Sequence, residues 1–281
     1  MIAMNDILQQ IEYLPVFNKA AQKAMQLLLE STTVTKDIAD VIKYDSGLTA
    51  NVLKLANSAY FAHSVEIKDL SAAINYLGRD KMFQILSLSS ASKYFKGHSK
   101  GYELTQGELW KHSISTGIIA EHLGFLEPNV NSGTLFTAGI LHDVGKTILS
   151  TWVSDLWNDI LYLIDKQHLD FIEAEKRILG YTHALVGGAI LQRWLFPEEI
   201  ISASRYHHEN KIHENTVVRI IRLADYLSIS MGYMTSEDSL LYLGYEDLMN
   251  YYKIKSKDLE KILNTSFEII QSVLDDFNKI D

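Results

Sequence analysis

Apolar residues recur at helical spacing along almost the whole chain. Val34, Ile38, Val41 and Ile42 share one face by the i, i+4, i+7, i+8 rule, and Leu48, Val52 and Leu55 do the same. Leu156, Ile160, Leu163 and Ile164 repeat the pattern. The clearest stripe is the last: Leu259, Ile262, Leu263, Phe267, Ile270, Val273, Leu274 and Phe277, with Ser256 placed to cap it. Helix punctuation agrees with the period. Asp69 and Gly78 read as a start and a stop, Asp170 with Glu173 as a capping box, and Gly180 as an end. Pro15 belongs to an extended entry, while Pro128 and Pro197 stand where helices can begin. No sustained alternating run is bounded by hairpin turns. The pattern therefore predicts an all-α fold.

One polar, glycine-bearing break, Lys96 to Gly107, interrupts the helical pattern. It predicts a boundary near residue 100, between an N-terminal helical lobe (1–100) and a second lobe (101–281). Composition narrows the possibilities for both. With 47% hydrophobic and 22% charged residues in 281, the chain has ordinary globular values and ample core. The net charge of −9 argues against nucleic acid as a partner. No apolar run approaches a membrane span, and Met1 to Gln10 lacks the pattern of a signal peptide, so a cytoplasmic protein without membrane attachment is expected. Cysteine is absent, which removes disulfides, thiolate metal sites and cysteine nucleophiles.

The second lobe holds the candidate chemistry. In order come Glu108, His112, the pair His142-Asp143, Lys146, His183, the pair His207-His208, Arg219 and Asp225. Imidazoles and carboxylates are the donors that divalent metals take in a cysteine-free chain, and here they interrupt segments that otherwise read as buried helix. Glu108 and His112, four apart, project from one helix face. His142-Asp143 ends an apolar run, where charge must be paired or metal-bound, and the two oxygens of Asp143 can serve two cations. Lys146, a turn further on, can address a phosphate oxygen. His207 and His208, adjacent on a helix, point about 100° apart, which favours one each for two neighbouring ions. Asp225 in an apolar helix needs an arginine or a metal as partner.

The order His, His-Asp, His, His-His, Asp resembles the HD superfamily of metal-dependent phosphohydrolases. The first lobe sharpens the likeness. Tyr13-Leu14-Pro15, the stretch Ile42 to Ala50, Leu53 to Tyr60 and Ala73 to Gly78 are similar to the HDOD family, the HD-related output domain of bacterial signalling proteins. Trp110 to Ser113, Ala138 to Asp143, Gly180 to Gly187 and Trp194 to Pro197 continue the likeness, which covers roughly residues 10 to 230. It implies an N-terminal helical lobe packed on an HD-like lobe and a regulatory role in bacteria. Many HDOD members have lost metal ligands, whereas each such position is filled here. The related HD-GYP phosphodiesterases match at Glu108, His112, His142, Asp143, Lys146, His183, His207, His208, Arg219 and Asp225. Their Gly-Tyr-Pro loop is missing, since Glu209-Asn210-Lys211-Ile212-His213 follows the histidine pair. Ser46 stands where HDOD proteins usually carry proline.

Two functions follow from that resemblance. One is a signalling or ligand-sensing module whose metal ties helices together. The other is a phosphohydrolase in which His112, His142, His183, His207, His208 and Asp225 are terminal ligands and Asp143 bridges. Glu108 then adds a ligand or accepts a proton, and Lys146 and Arg219 hold phosphate oxygens. The nitrogen and oxygen donors suit one or two ions of iron, manganese, zinc or nickel alike. Expected partners are signalling proteins or a small phosphorylated ligand. The amphipathic tail from about residue 231 is suited either to pack on the HD-like lobe or to form a homodimer interface.

Overall fold

The computed structural model describes residues 7, 9, 17–61, 66–95, 102, 107–209, 211–233 and 245–278. These residues form thirteen α-helices and no strand, the all-α class that the periodicity predicts. The boundary expected near residue 100, and Pro15, lie outside the described residues.

Four helices belong to the expected first lobe: α1 (Lys19–Leu29), α2 (Thr35–Ile42), α3 (Ser46–Ala56) and α4 (Leu70–Phe95). Their ends are fixed by side chains. Asn18 caps α1, and its amide also donates to Asp45, which caps α3 by accepting from Leu48 N at 2.8 Å. Asp69 accepts from Ala72 N to start α4. Gly78 breaks α4 with φ 80°, a value that favours glycine. The break turns Arg79 onto the far end of α1, where it donates to the carbonyls of Leu27, Leu28, Glu30 and Thr33. Leu27 and Leu28 carry two of the carbonyls that a helix C-terminus leaves short of intrahelical donors, and Glu30 and Thr33 lie beyond the helix.

The second lobe is arranged round α5 (Glu108–His122), buried from Leu109 to Ala120 except at Lys111. A helix buried on nearly all sides, polar residues His112, Ser113, Ser115 and Thr116 included, must be enclosed by others. It is enclosed by α6 (Ser132–Leu141), α11 (Thr216–Ser230) and α13 (Ser256–Asn278). The approach of α6 is as close as backbones allow, because a Cβ at Gly139 would lie 2.6 Å from Gly117 Cα. The remaining helices are α7 (Lys146–Gln167), α8 (Phe171–Leu179), α9 (His183–Arg193), α10 (Glu198–Tyr206) and α12 (Tyr245–Tyr251). Pro197 stands directly before α10 as expected. Pro128 lies instead in the turn ahead of α6, whose cap is Asn131. Ser256 is the first helical residue of α13 rather than its cap, and Phe267 is half exposed although its spacing placed it on the buried stripe.

The lobes share one continuous apolar core. Helix α4 lies along α6, where Ser87 and Thr137 hydroxyls meet at 2.8 Å. Phe17 and Tyr94 of the first lobe pack on Trp194 and Phe196 of the second, at ring separations of 4.6 to 5.3 Å. Truncating a buried aromatic anchor of this kind costs about 3–5 kcal/mol.

Candidate metal centre

Helix ends deliver most of the candidate ligands. His112 sits one turn into α5, His142 closes α6, and Asp143 and Lys146 flank the start of α7. His183 opens α9 below its Thr182 cap, His207 closes α10, and Asp225 lies in α11. The turn from α6 to α7 can pass this tightly because residue 145 is glycine. A Cβ there would stand 1.9 Å from the carbonyl oxygen of His183.

These side chains meet in two groups. Asp143, His183, His207 and His208 bring one donor atom each within 4.8 Å of one another, and so do His112, His142 and Asp225. Asp143 joins the groups. Its Oδ1 lies 3.3 Å from His183 Nε2 and 3.6 Å from His207 Nε2. Its Oδ2 lies 3.5 Å from His142 Nε2 and 3.7 Å from His112 Nε2. Asp225 Oδ1 stands 3.0 Å from His112 Nε2. Apart from half-buried His208, all are at most 1% exposed. Placing both members of the His-His pair in one group departs from the expectation of one ion each. His207 ends α10 and His208 lies beyond it, so the 100° helical offset does not apply, and their rings sit 3.9 Å apart.

A shell of acceptors orients the rings. His142 Nδ1 donates to Gly139 O at 2.7 Å, His207 Nδ1 to Ser204 O at 2.7 Å, and His112 Nδ1 to Tyr233 O at 2.8 Å. His183 Nδ1 donates to Glu175 Oε2 at 3.0 Å, and the His183 backbone N–H donates to the same oxygen. Acceptors at Nδ1 place the proton there and turn Nε2 inward, the usual orientation of a metal-ligating histidine. The inward nitrogens crowd one another: His112 and His142 approach to 3.2 Å, His183 and His208 to 2.8 Å. Lone pairs so placed require positive charge among them. Asp143 Oδ1 and His207 Nε2 are buried with no hydrogen-bond partner. The donor set therefore fits divalent cations.

Among the side chains themselves, protons and one lysine supply positive charge. Burial pushes His183 down, but the Glu175 carboxylate outweighs it, and the pKa rises to about 9. Its protonated Nε2 then donates to His208, which burial and the neighbouring His207 and His183 push well down. Burial also opposes the charge on His142, and Asp143 and Asp225 overcome it and raise the group. Against burial, Lys146 and His142 hold Asp143 well below the usual carboxylate range. Asp225 is depressed likewise, by hydrogen bonds from His112 and His142 that outweigh its burial.

Three further sequence candidates are not members of either donor group. Glu108, half-buried at the start of α5, is in neither group. Lys146, 1% exposed, turns its ammonium onto Asp143 Oδ2 at 2.9 Å and over the Tyr102 ring. Arg219 is not brought to the centre. Its five N–H donors go to Tyr252 Oη, the carbonyls of His213 and Glu214, Glu127 Oε1 and Thr216 Oγ1. Glu175 was not anticipated. Fully buried, it also accepts from Tyr102 Oη at 2.5 Å. Its one signal in sequence is a carboxylate on the buried face Phe171, Ala174, Glu175, Leu179.

The HDOD domain model matches residues 14–210, well over half of the chain. The chain belongs to the HDOD family. An uncharacterised protein of Treponema pallidum (strain Nichols) is 23% identical over 242 residues, 84% of this chain and 45% of that protein. The chain spans less than half the length of the curated relatives it matches. Among solved structures, a candidate phosphohydrolase from Shewanella amazonensis superposes with TM-score 0.71 at 20% identity, covering 95% of this chain and 97% of that one. A candidate signal transduction protein from Marinobacter aquaeolei also gives 0.71, at 21% identity, over 96% and 64% respectively. At such identities the likeness is one of fold.

Proposed function

We propose that this HDOD protein is a signal-transduction module built on a binuclear divalent-metal centre, which serves regulation or ligand sensing. The observation that carries the reading is Asp143, whose two oxygens face two separate groups of inward-turned donors. One half of the centre would take Asp143, His183, His207 and His208, the other His112, His142, Asp225 and the second oxygen of Asp143. Bound cations would supply Lewis acidity toward a phosphate group or water. Ligands drawn from five helices and the turns between them tie the second lobe together, so binding energy becomes folding energy.

A regulatory reading is favoured over a phosphohydrolase by the two cations that phosphate would need. Lys146 is committed to Asp143, and all five donors of Arg219 are used inside the protein. The phosphohydrolase remains the second reading because the donor set is complete and half-buried His208 gives the centre a side facing outward. In either case the partner is a signalling protein or a small phosphorylated ligand. Among the described residues no helix is long and apolar enough to cross a membrane.

Metal analysis of the purified protein, followed by hydrolysis assays on phosphomonoesters, nucleotides and cyclic dinucleotides with Mn²⁺ or Fe²⁺, tests this. Two ions per chain, a lower melting temperature after chelation and no turnover are expected. Turnover abolished by Asp143→Ala in a folded variant would transfer the assignment to the phosphohydrolase. Absence of metal binding would remove both.

A further inference from the structure

We propose that the two halves of the centre fill unequally and that Lys146 is the cause: its ammonium stands in for the second cation on Asp143. This rests on the metal-centre reading above. The two oxygens of Asp143 are not equivalent. Oδ1, which faces His183 and His207, is buried and without a hydrogen-bond partner. Oδ2, which faces His112 and His142, is held by Lys146 Nζ at 2.9 Å, closer than either imidazole nitrogen. The first group thus offers four donors, and the lysine ammonium sits on the other oxygen of Asp143. The second offers three, plus an oxygen whose charge is already neutralised.

Outer contacts add to the difference. His183 backs onto the buried carboxylate of Glu175, whereas His112 and His142 back onto neutral backbone carbonyls. An anion behind an imidazole makes it a better donor. Asp225 gives the second group a charge of its own, but Lys146 offsets it at ion-pair distance from the shared carboxylate, where a like charge repels an incoming dication strongly. Lys146 is 1% exposed and needs an anion to stay charged. A second cation can claim Oδ2 only by displacing it. Such a centre keeps one ion as part of the fold and takes the other when that ion is abundant or when Lys146 has another anion to hold.

Titration of the chelator-stripped full chain with Mn²⁺, counting unbound ion by electron paramagnetic resonance, separates the possibilities. Two binding steps at least tenfold apart are expected. Lys146→Met should tighten the second step about tenfold and leave the first in place, while Lys146→Arg, which keeps a cation there, should keep the steps apart. Glu175→Gln should weaken the first step by roughly 10-fold or more, the usual effect of losing an outer partner. Two ions bound in one indivisible step would overturn the inequality and leave the metal centre standing. An unchanged second step in folded Lys146→Met would overturn the part given to Lys146, and if that variant does not fold, collapse of the two steps into one in Lys146→Arg would do the same. A chain that binds no Mn²⁺ would overturn this proposal together with the centre itself.

Discussion

At the scale of single residues, Arg219 shows how a charge in an apolar helix can mislead. It lies six positions before Asp225 on α11, about 120° away round the helix, so the two side chains leave different faces. One meets the imidazoles and the other gathers the loop carbonyls of His213 and Glu214 together with Glu127 and Tyr252. Lysine has three donors in place of a planar fork of five. Arg219→Lys should therefore cost about 1–2 kcal/mol, as partly buried acceptors lose their partners, with metal content unchanged. Urea unfolding and metal analysis of one preparation check this; weaker binding of a phosphorylated ligand at wild-type stability would return Arg219 to the site. The positions that converge were legible because histidine and aspartate are rare in apolar helices and stood there in a fixed order. Glu175 was not, since its partners Tyr102 and His183 are 73 and 8 residues away and nothing local ties a glutamate to either.

At the scale of elements, the sequence marks helix ends better than it marks how helices approach. Asp69, Gly78, Asp170 and Gly180 are ends in the structure, because capping side chains and left-handed glycines act on their own neighbours. Gly145 has no such local signature. Its need for hydrogen in place of a methyl group comes from α9, where His183 O would stand 1.9 Å and Gly187 N 2.6 Å from a new Cβ. Those are backbone atoms and cannot swing aside. Gly145→Ala should force α9 away from the α6–α7 turn, lower stability by about 3 kcal/mol or more and abolish metal binding at the His183 group. Gly47, in the first turn of α3, is the control: a Cβ there meets nothing nearer than 3.6 Å. Gly47→Ala should leave metal binding alone and stabilise by about 0.5–1 kcal/mol, since alanine gives up less chain entropy in a helix. Thermal melts of the two variants should move in opposite directions.

At the scale of the whole molecule, the two lobes of the sequence become one core, because α4 lies along α6 and the aromatic group round Trp194 spans both. Composition marks a change of character near residue 100 but carries nothing about the faces that meet across it. All four tryptophans, Trp110, Trp152, Trp157 and Trp194, belong to the second lobe, whereas helical circular dichroism reports on both. With a shared core the two signals should follow one urea transition, and fluorescence that lagged behind dichroism would separate the lobes.

The same junction carries a charge that makes its strength depend on pH. Glu121 on α5 accepts from Tyr60 Oη at 2.5 Å and from Lys81 Nζ at 2.8 Å, both on the first lobe. Burial would raise the carboxyl, but Lys81 and these hydrogen bonds prevail and hold it below its ordinary 4.5. A group whose folded pKa is depressed stabilises the fold in its ionised form, fully above the unfolded value and progressively less as pH falls through the folded one. Glu121→Gln removes that dependence and replaces charge-assisted bonds with neutral ones, a loss of about 1–2 kcal/mol at neutral pH. The gap between wild type and variant should be constant above pH 5 and should close as pH falls from about 4.5, where the unfolded carboxyl takes up its proton, through the lower folded pKa. Urea unfolding from pH 7 to pH 3 measures the gap directly, and curves that run parallel throughout would show that the junction does not depend on this charge.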